Sequence, residues 1–193
     1  MANEFYALMG RMRYITRWGL MRNTFSENIS EHSHMTAVLA HALALIRRDI
    51  LNLPAPDPDR CAVAALYHDA SEILTGDLPT PIKYFDKNSR KSYDTVEKQA
   101  VSSLLSKIPQ ELRPAYENLI GEPECPEKAL VKAADKLCAY IKCLEEEKCG
   151  NTEFCSAKEA IRQQLERLDC PELGWFTEHL LPTFSLTIDE MQM

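Results

Sequence analysis

A chain of 193 residues, 45% of them hydrophobic, is long enough for one domain with a sizeable core, and its six glycines and scarce β-branched alternation argue against an all-β fold. The net charge of −7 leaves no basic footprint for DNA, RNA or another polyanion, although one arginine and a bound cation can reverse the field locally for a small anionic substrate. No segment reaches the ~20 apolar residues of a bilayer span, and Arg11, Arg13 and Arg17 interrupt any apolar run that could serve as an export signal.

Phe5, Leu8, Met9, Met12 and Ile15 follow helical spacing and predict a first helix of roughly fifteen residues. It leads into Thr16-Arg17-Trp18-Gly19-Leu20-Met21-Arg22 and then a polar loop from Asn23 to Ile29. Ser30 is the expected cap of a second helix, rich in Ala, Leu and Val, from Glu31 to about Ile50. Pro54, Pro56 and Pro58 mark the next connection, with Asp57 as N-cap and Pro58 in the first turn of the following helix. That helix carries an apolar segment, Ala62 to Leu74, with apolar residues on nearly every side, which predicts a buried central element ending just before Gly76. Thr75-Gly76-Asp77-Leu78-Pro79-Thr80-Pro81 reads as a loop stiffened by two prolines. Asn88 to Lys107 predicts a charged amphipathic helix, Pro109 to Ile120 a shorter one, and Pro126 the start of a long one ending near Gly150. The apolar stripe of the long helix is Leu130, Ala134, Leu137, Cys138, Ile141 and Leu144. A helix over Thr152 to Leu168 and an apolar piece, Leu173 to Leu181, complete a single all-α domain spanning residues 1–193. The seven cysteines match no zinc-ribbon spacing and read as reduced thiols of a cytoplasmic protein.

Polar residues that interrupt apolar helices carry the functional signal. His68 and Asp69 stand side by side in Leu66-Tyr67-His68-Asp69-Ala70-Ser71-Glu72, and burying them with Glu72 costs free energy unless they are paired or bind a cation. Helical spacing puts His68, Asp69 and Glu72 along one wall. Taken alone, the dipeptide suits a hydrogen-bonded core histidine beside a solvated acid. His32 lies in the first turn of its helix, where a surface histidine is common, and Asp135 lies at the edge of its stripe, where a solvated acid is an equal reading.

In this order, however, His32, His68, Asp69 and Asp135 resemble the ligands of the HD-domain superfamily of metal-dependent phosphohydrolases. Two imidazoles and two carboxylates suit Mn²⁺, Co²⁺, Fe²⁺ or Zn²⁺, and on a six-coordinate ion they leave room for water and a phosphate oxygen. Arg17-Trp18, Ser30-Glu31-His32-Ser33, Tyr67 to Glu72, Thr75 to Pro81 and Ala133-Ala134-Asp135-Lys136-Leu137-Cys138-Ala139-Tyr140 further resemble the bacterial 5′-deoxynucleotidases of that superfamily. The resemblance runs over essentially the whole chain. It implies a homodimeric HD-domain helical bundle that holds one divalent ion per chain (Co²⁺, Mn²⁺ or similar, with Zn²⁺ also fitting) and removes the 5′-phosphate from deoxyribonucleoside monophosphates.

Roles follow from residue types. Glu72 either takes or orients the proton of a water, or makes a supporting hydrogen bond to His68. Arg17 offers a planar fork of donors to a phosphate dianion. The resemblance implies that Trp18 packs against the sugar and rejects a 2′-hydroxyl; otherwise Trp18 is core. Asp77 either contacts the 3′-hydroxyl or leaving 5′-oxygen or caps a turn, and Leu78, Pro79 and Thr80 shape the same wall, so that substrate contacts are expected from Arg17, Trp18, His32, Asp69, Asp77, Leu78, Pro79, Thr80 and Asp135. His34 and His41 read as structural, Cys138 as packing, and Glu145-Glu146-Glu147-Lys148 as a solvated helix end. The competing readings are an HD phosphohydrolase for another small nucleotide, a non-catalytic HD signalling module, and a di-iron HD oxygenase for which five histidines are a poor supply.

Overall fold

The computed structural model describes residues 3–79, 82, 86–121 and 125–191. Within them the fold is all-α, as expected, and the extended pairing is confined to one antiparallel bridge between Thr16 and Asn28. In chain order the helices are α1 (Phe5–Met9), α2 (Ile29–Leu45), α3 (Pro58–Tyr67), α4 (Glu72–Thr75), α5 (Lys87–Ser106), α6 (Arg113–Tyr116), α7 (Lys128–Lys148), α8 (Cys155–Glu166) and α9 (Pro171–His179).

The core forms where small side chains let helices approach. Ala37, Ala40 and Ala44 of α2 meet Ala64 and Ala65 of α3 and Ala133 and Ala134 of α7, with Leu43, Leu137, Ile141 and Phe176 filling the remaining space. A smaller cluster of Phe5, Ala70, Leu104, Ile108 and Ile120 seats α1 and α5 against the segment after α3. Ion pairs tie helix ends together: Arg47 to Glu172 at 3.0 Å and Arg60 to Glu127 at 2.7 Å.

Several predicted boundaries move for local reasons. The first helix stops at Met9, since Gly10 weakens its propagation, and a 3₁₀ turn over Met12–Tyr14 takes over. Asn28, not Ser30, caps α2: its side chain accepts the Glu31 N–H while the Glu31 carboxylate accepts the Asn28 N–H, a reciprocal capping box. The helical path does reach Ile50, through a π turn over Ile46–Ile50. Asp57 and Pro58 start α3 as expected. The predicted segment from Ala62 to Leu74 packs centrally through Ala64, Ala65 and Ala70, but it is neither continuous nor buried on every side. It breaks into α3, a tight turn through His68–Ser71, and α4, and Val63, Leu66 and Leu74 remain exposed. Only Arg113–Tyr116 of the predicted Pro109–Ile120 helix is α-helical.

The acidic end of α7 is exposed at Glu147 and Lys148, as expected, but not at Glu146. Glu146 is fully buried, and its carboxylate accepts Lys142 Nζ at 2.5 Å, Asn151 Nδ2 at 2.7 Å and the Thr24 N–H at 2.9 Å. Lys142 also donates to Phe25 O at 2.8 Å and lies 3.3 Å from the Phe25 ring centroid. This buried pair fastens residues 24 and 25 to α7. Burial alone would raise the Glu146 carboxyl, but Lys142, Asn151 and Thr24 override it and hold it down at about 2 against an ordinary 4.5. A carboxyl depressed in the fold stabilises it fully above its unfolded pKa, and that stability is lost as pH falls from about 4.5 towards about 2. Glu146→Gln is therefore expected to melt below the parent at neutral pH, with the gap closing across that window. Calorimetry at stepped pH checks this, and a gap that stays constant to pH 2 would refute it.

Candidate functional site

The site forms where the start of α2, the end of α3 and the middle of α7 converge. The bridge between Thr16 and Asn28 draws residues 16–28 into a closed loop, with the Arg17 N–H donating to Glu27 O at 2.9 Å and the Ile29 N–H to Ile15 O at 3.0 Å. One limb carries Arg17 and Trp18; the other ends in Glu27 and the Asn28 cap, one turn before His32.

His32 is completely buried, with Nε2 3.1 Å from Asp135 Oδ1 and 3.6 Å from Asp69 Oδ2. His68 follows the last residue of α3, and its Nδ1 donates to Ala65 O at 2.7 Å. That bond commits Nδ1 as a donor and leaves Nε2 turned towards the centre, where a cation could replace its proton. Nε2 is buried with no hydrogen-bond partner among the described residues, and lies 3.1 Å from Asp69 Oδ2. Ligand atoms of His32, His68 and Asp135 lie within 4.8 Å of one another. His32, His68 and Asp135 thus present ligand atoms to a common centre, with the Asp135 side chain 37% exposed.

The electrostatics of that centre call for positive charge. Burial would lower the His68 pKa, but the adjacent Asp69 carboxylate raises it to about 9. Burial would raise Asp69 and Asp135, but the two imidazoles, with Arg17 beside Asp69, hold both carboxyls well below the usual range. Burial also opposes the Arg17 charge, and Asp69, Asp135, Glu27 and Asp77 around it keep the guanidinium firmly protonated. An orphaned, buried Nε2 facing two carboxylates and a second imidazole is a donor set that fits a borderline divalent ion.

Glu72 opens α4, nearly fully buried, and its N–H donates to Asp69 O at 3.0 Å. Gly76 adopts φ 73°, a left-handed turn that L side chains resist, and leads into half-buried Asp77, Leu78 and Pro79. Thr80 and Pro81 lie outside the described residues. Arg17 Nη1 approaches Asp69 Oδ2 at 3.5 Å. Trp18 has φ 58° and rests half-buried on Phe154, ring centroids 5.3 Å apart. His34 is exposed and His41 half-buried beside Asp59, away from this centre.

The residue missing from the sequence reading is Glu27, whose Oε2 accepts both Arg17 Nε at 3.1 Å and Trp18 Nε1 at 3.0 Å. Its role depends on closure of the 16–28 loop, which no periodicity announces. Cys138 is core, as expected, and burial pushes its thiol up to about 12.

Comparison with known proteins agrees with this geometry. A family model described as 5′-deoxynucleotidase YfbR-like matches residues 4–184. A 5′-deoxynucleotidase from Erwinia tasmaniensis is 48% identical over 193 residues, covering 98% of this chain and 96% of that protein. The 5′-deoxynucleotidase YfbR of an Escherichia coli strain is 46% identical over 193 residues, with the same coverage. Among solved structures, an HD-domain phosphohydrolase from Listeria innocua superposes with a TM-score of 0.80 at 22% identity, covering 94% of this chain and 88% of that one. The cyanophage S-2L HD phosphohydrolase DatZ, bound to dA and one catalytic Zn²⁺, gives 0.65 at 21% identity, covering 92% and 96%. The two structures share the fold, and the full-length sequence matches decide the rest: the chain belongs to the YfbR-like 5′-deoxynucleotidase family.

Proposed function

We propose that the protein hydrolyses 2′-deoxyribonucleoside 5′-monophosphates to deoxyribonucleoside and phosphate, with a divalent ion held by His32, His68, Asp69 and Asp135. The observation that carries this reading is the buried His68 Nε2, freed by the Nδ1 bond to Ala65 O and placed beside Asp69, with His32 and Asp135 across the same centre. The chemistry such an ion supplies when bound is a water acidified towards neutral pH and withdrawal of charge from the phosphate. Full-length relatives named 5′-deoxynucleotidase and a structural neighbour bound to dA support the substrate class.

The side chains divide the remaining work. Arg17, charged at any working pH, presents its NH groups to the phosphate dianion. Glu72 takes the proton of the attacking water, for which burial in the wall beside Asp69 suits it. The Trp18 ring packs against the sugar and leaves no space for a 2′-hydroxyl. Asp77, close enough to Arg17 to reinforce its charge, accepts the 3′-hydroxyl, and Leu78, Pro79 and Thr80 close that end. The protein acts, on this reading, as a cytoplasmic homodimer of one HD domain per chain, residues 1–193, loaded with Co²⁺ or Mn²⁺; Zn²⁺ is the ion named in DatZ.

Phosphate release from matched deoxyribo- and ribonucleoside monophosphates, after chelation and resupply of Mn²⁺, Co²⁺, Zn²⁺ or Mg²⁺, tests this. Release that favours the deoxy series with Mn²⁺ or Co²⁺, and is weakest with reluctantly dehydrated Mg²⁺, is the expected result. Equal release from both series removes the sugar role of Trp18. No release by metal-loaded protein overturns the substrate and favours a signalling module.

A further inference from the structure

We propose that Glu27 is a positioning residue whose single carboxylate sets both the Arg17 donors offered to phosphate and the Trp18 ring offered to the sugar. This rests on the reading of Arg17 and Trp18 given above, but the arrangement behind it is geometric. One oxygen, Glu27 Oε2, accepts Arg17 Nε and Trp18 Nε1 at 3.1 and 3.0 Å, in a pocket where the Arg17 and Glu27 side chains are only 12% and 13% exposed. Charge-assisted bonds from a buried carboxylate are the strong, orienting kind.

Each bond has a consequence for the site. A guanidinium has five N–H donors, and the Nε bond to Glu27 takes one of them and orients the planar group, leaving donors on its NH₂ groups for other acceptors. One of them meets Asp69 at 3.5 Å, longer than a charge-assisted bond of about 2.7–2.9 Å, so the arginine is not locked onto the ligand carboxylate. Glu27 thus holds Arg17 short of Asp69 and keeps donors free for phosphate. Without Glu27, Asp69 is the carboxylate left for Arg17 to close upon, and the phosphate donors are spent there.

The indole bond fixes a side chain on a strained backbone. Trp18 at φ 58° is in the left-handed region, which strains a non-glycine residue and persists only when its surroundings over-determine it. Its carbonyl accepts the Met21 N–H at 2.9 Å and Asn23 Nδ2 at 3.3 Å, which holds the backbone, but neither bond sets the ring. The ring is set by Phe154 on one face and by Glu27 at its N–H. A carboxylate oxygen of Glu27 also lies within 4.8 Å of a ring nitrogen of His32, so the phosphate, sugar and metal sides of the site meet at this residue.

The test uses the full-length, metal-loaded protein with Glu27→Ala and the isosteric Glu27→Gln. It reads kcat and KM on matched deoxyribo- and ribonucleotides, metal content, and the Trp18 indole N–H resonance, assigned with Trp175→Phe. For Glu27→Ala, loss of both bonds is expected to raise KM and to lower the deoxy-to-ribo ratio of kcat/KM, each by roughly tenfold, with a shifted and broadened Trp18 indole signal and unchanged metal content. Glu27→Gln keeps a neutral acceptor for the indole but loses the charge facing Arg17. It is expected to hold the sugar ratio within about twofold while KM rises several-fold for both series. A folded variant that keeps the parent KM, sugar ratio and indole resonance overturns the proposal. A parent without deoxy preference sinks only the sugar role of Trp18, and the indole signal then still decides whether Glu27 positions the ring.

Discussion

Asp69→Asn is expected to bind little metal and to lose activity by roughly 10³-fold or more, because a ligand carboxylate supports several kcal/mol of charge stabilisation. Asp69 Oδ2 is the atom on which the centre closes: 3.1 Å from His68 Nε2, 3.6 Å from His32 Nε2 and 3.5 Å from Arg17 Nη1. Asparagine preserves the shape but removes the charge, and its NH₂ group, if turned inward, opposes the Arg17 donors. The Asp69 side chain is 19% exposed and at the mouth of the core, so the fold should survive and the melting temperature shift by only a few degrees. Metal per chain after dialysis, and turnover with saturating Co²⁺ or Mn²⁺, are the measurements. A variant that retains parental metal content and turns over within tenfold of the parent would remove Asp69 from the ligand set. His32→Gln and Asp135→Asn should behave alike, since each contributes to the same cluster.

The legibility of these residues in the sequence follows from how local their signals are. Asp57 and Pro58 announce α3 through capping and a fixed proline φ, both properties of adjacent residues. Of the proposed ligands, His68 and Asp69 stand out because they interrupt an apolar segment, whereas His32 and Asp135 are singled out only by their order along the chain, which carries the resemblance. Where the outcome depends on a distant segment, the sequence misleads. The run Glu145-Glu146-Glu147 looks solvated, yet the loop around Thr24 and Phe25 folds over α7 and buries Glu146 with Lys142. Glu27 falls in a polar loop with no period, and becomes meaningful only once the Thr16–Asn28 bridge lays it against Arg17 and Trp18. The continuous helix predicted across His68 and Asp69 failed for a related reason. Its apolar residues look like a buried core, but Val63 and Leu66 are exposed while Ala64 and Ala65 face α2 and α7, and hydrophobicity alone does not distinguish those faces.

Glu72→Gln is expected to lower kcat by about 10²–10⁴ while metal content and KM stay near parental values, the pattern of a lost general base. Glu72 is nearly fully buried at the first position of α4, with its N–H donated to Asp69 O, so its carboxylate is shielded from solvent a short step along the chain from His68 and Asp69. Glutamine keeps the size and one acceptor oxygen but cannot take a proton at neutral pH. The same substitution separates the two roles that the sequence leaves open. If Glu72 serves mainly to orient His68, the first casualty is metal affinity, and raising the concentration of Co²⁺ or Mn²⁺ should recover most of the rate. As a base, it leaves metal binding intact, excess metal restores nothing, and the acid limb of the kcat–pH profile that reports its protonation disappears. Because His68 Nδ1 is already held by Ala65 O, the ring has an orienting partner without Glu72, and the kinetic outcome is the one the geometry favours.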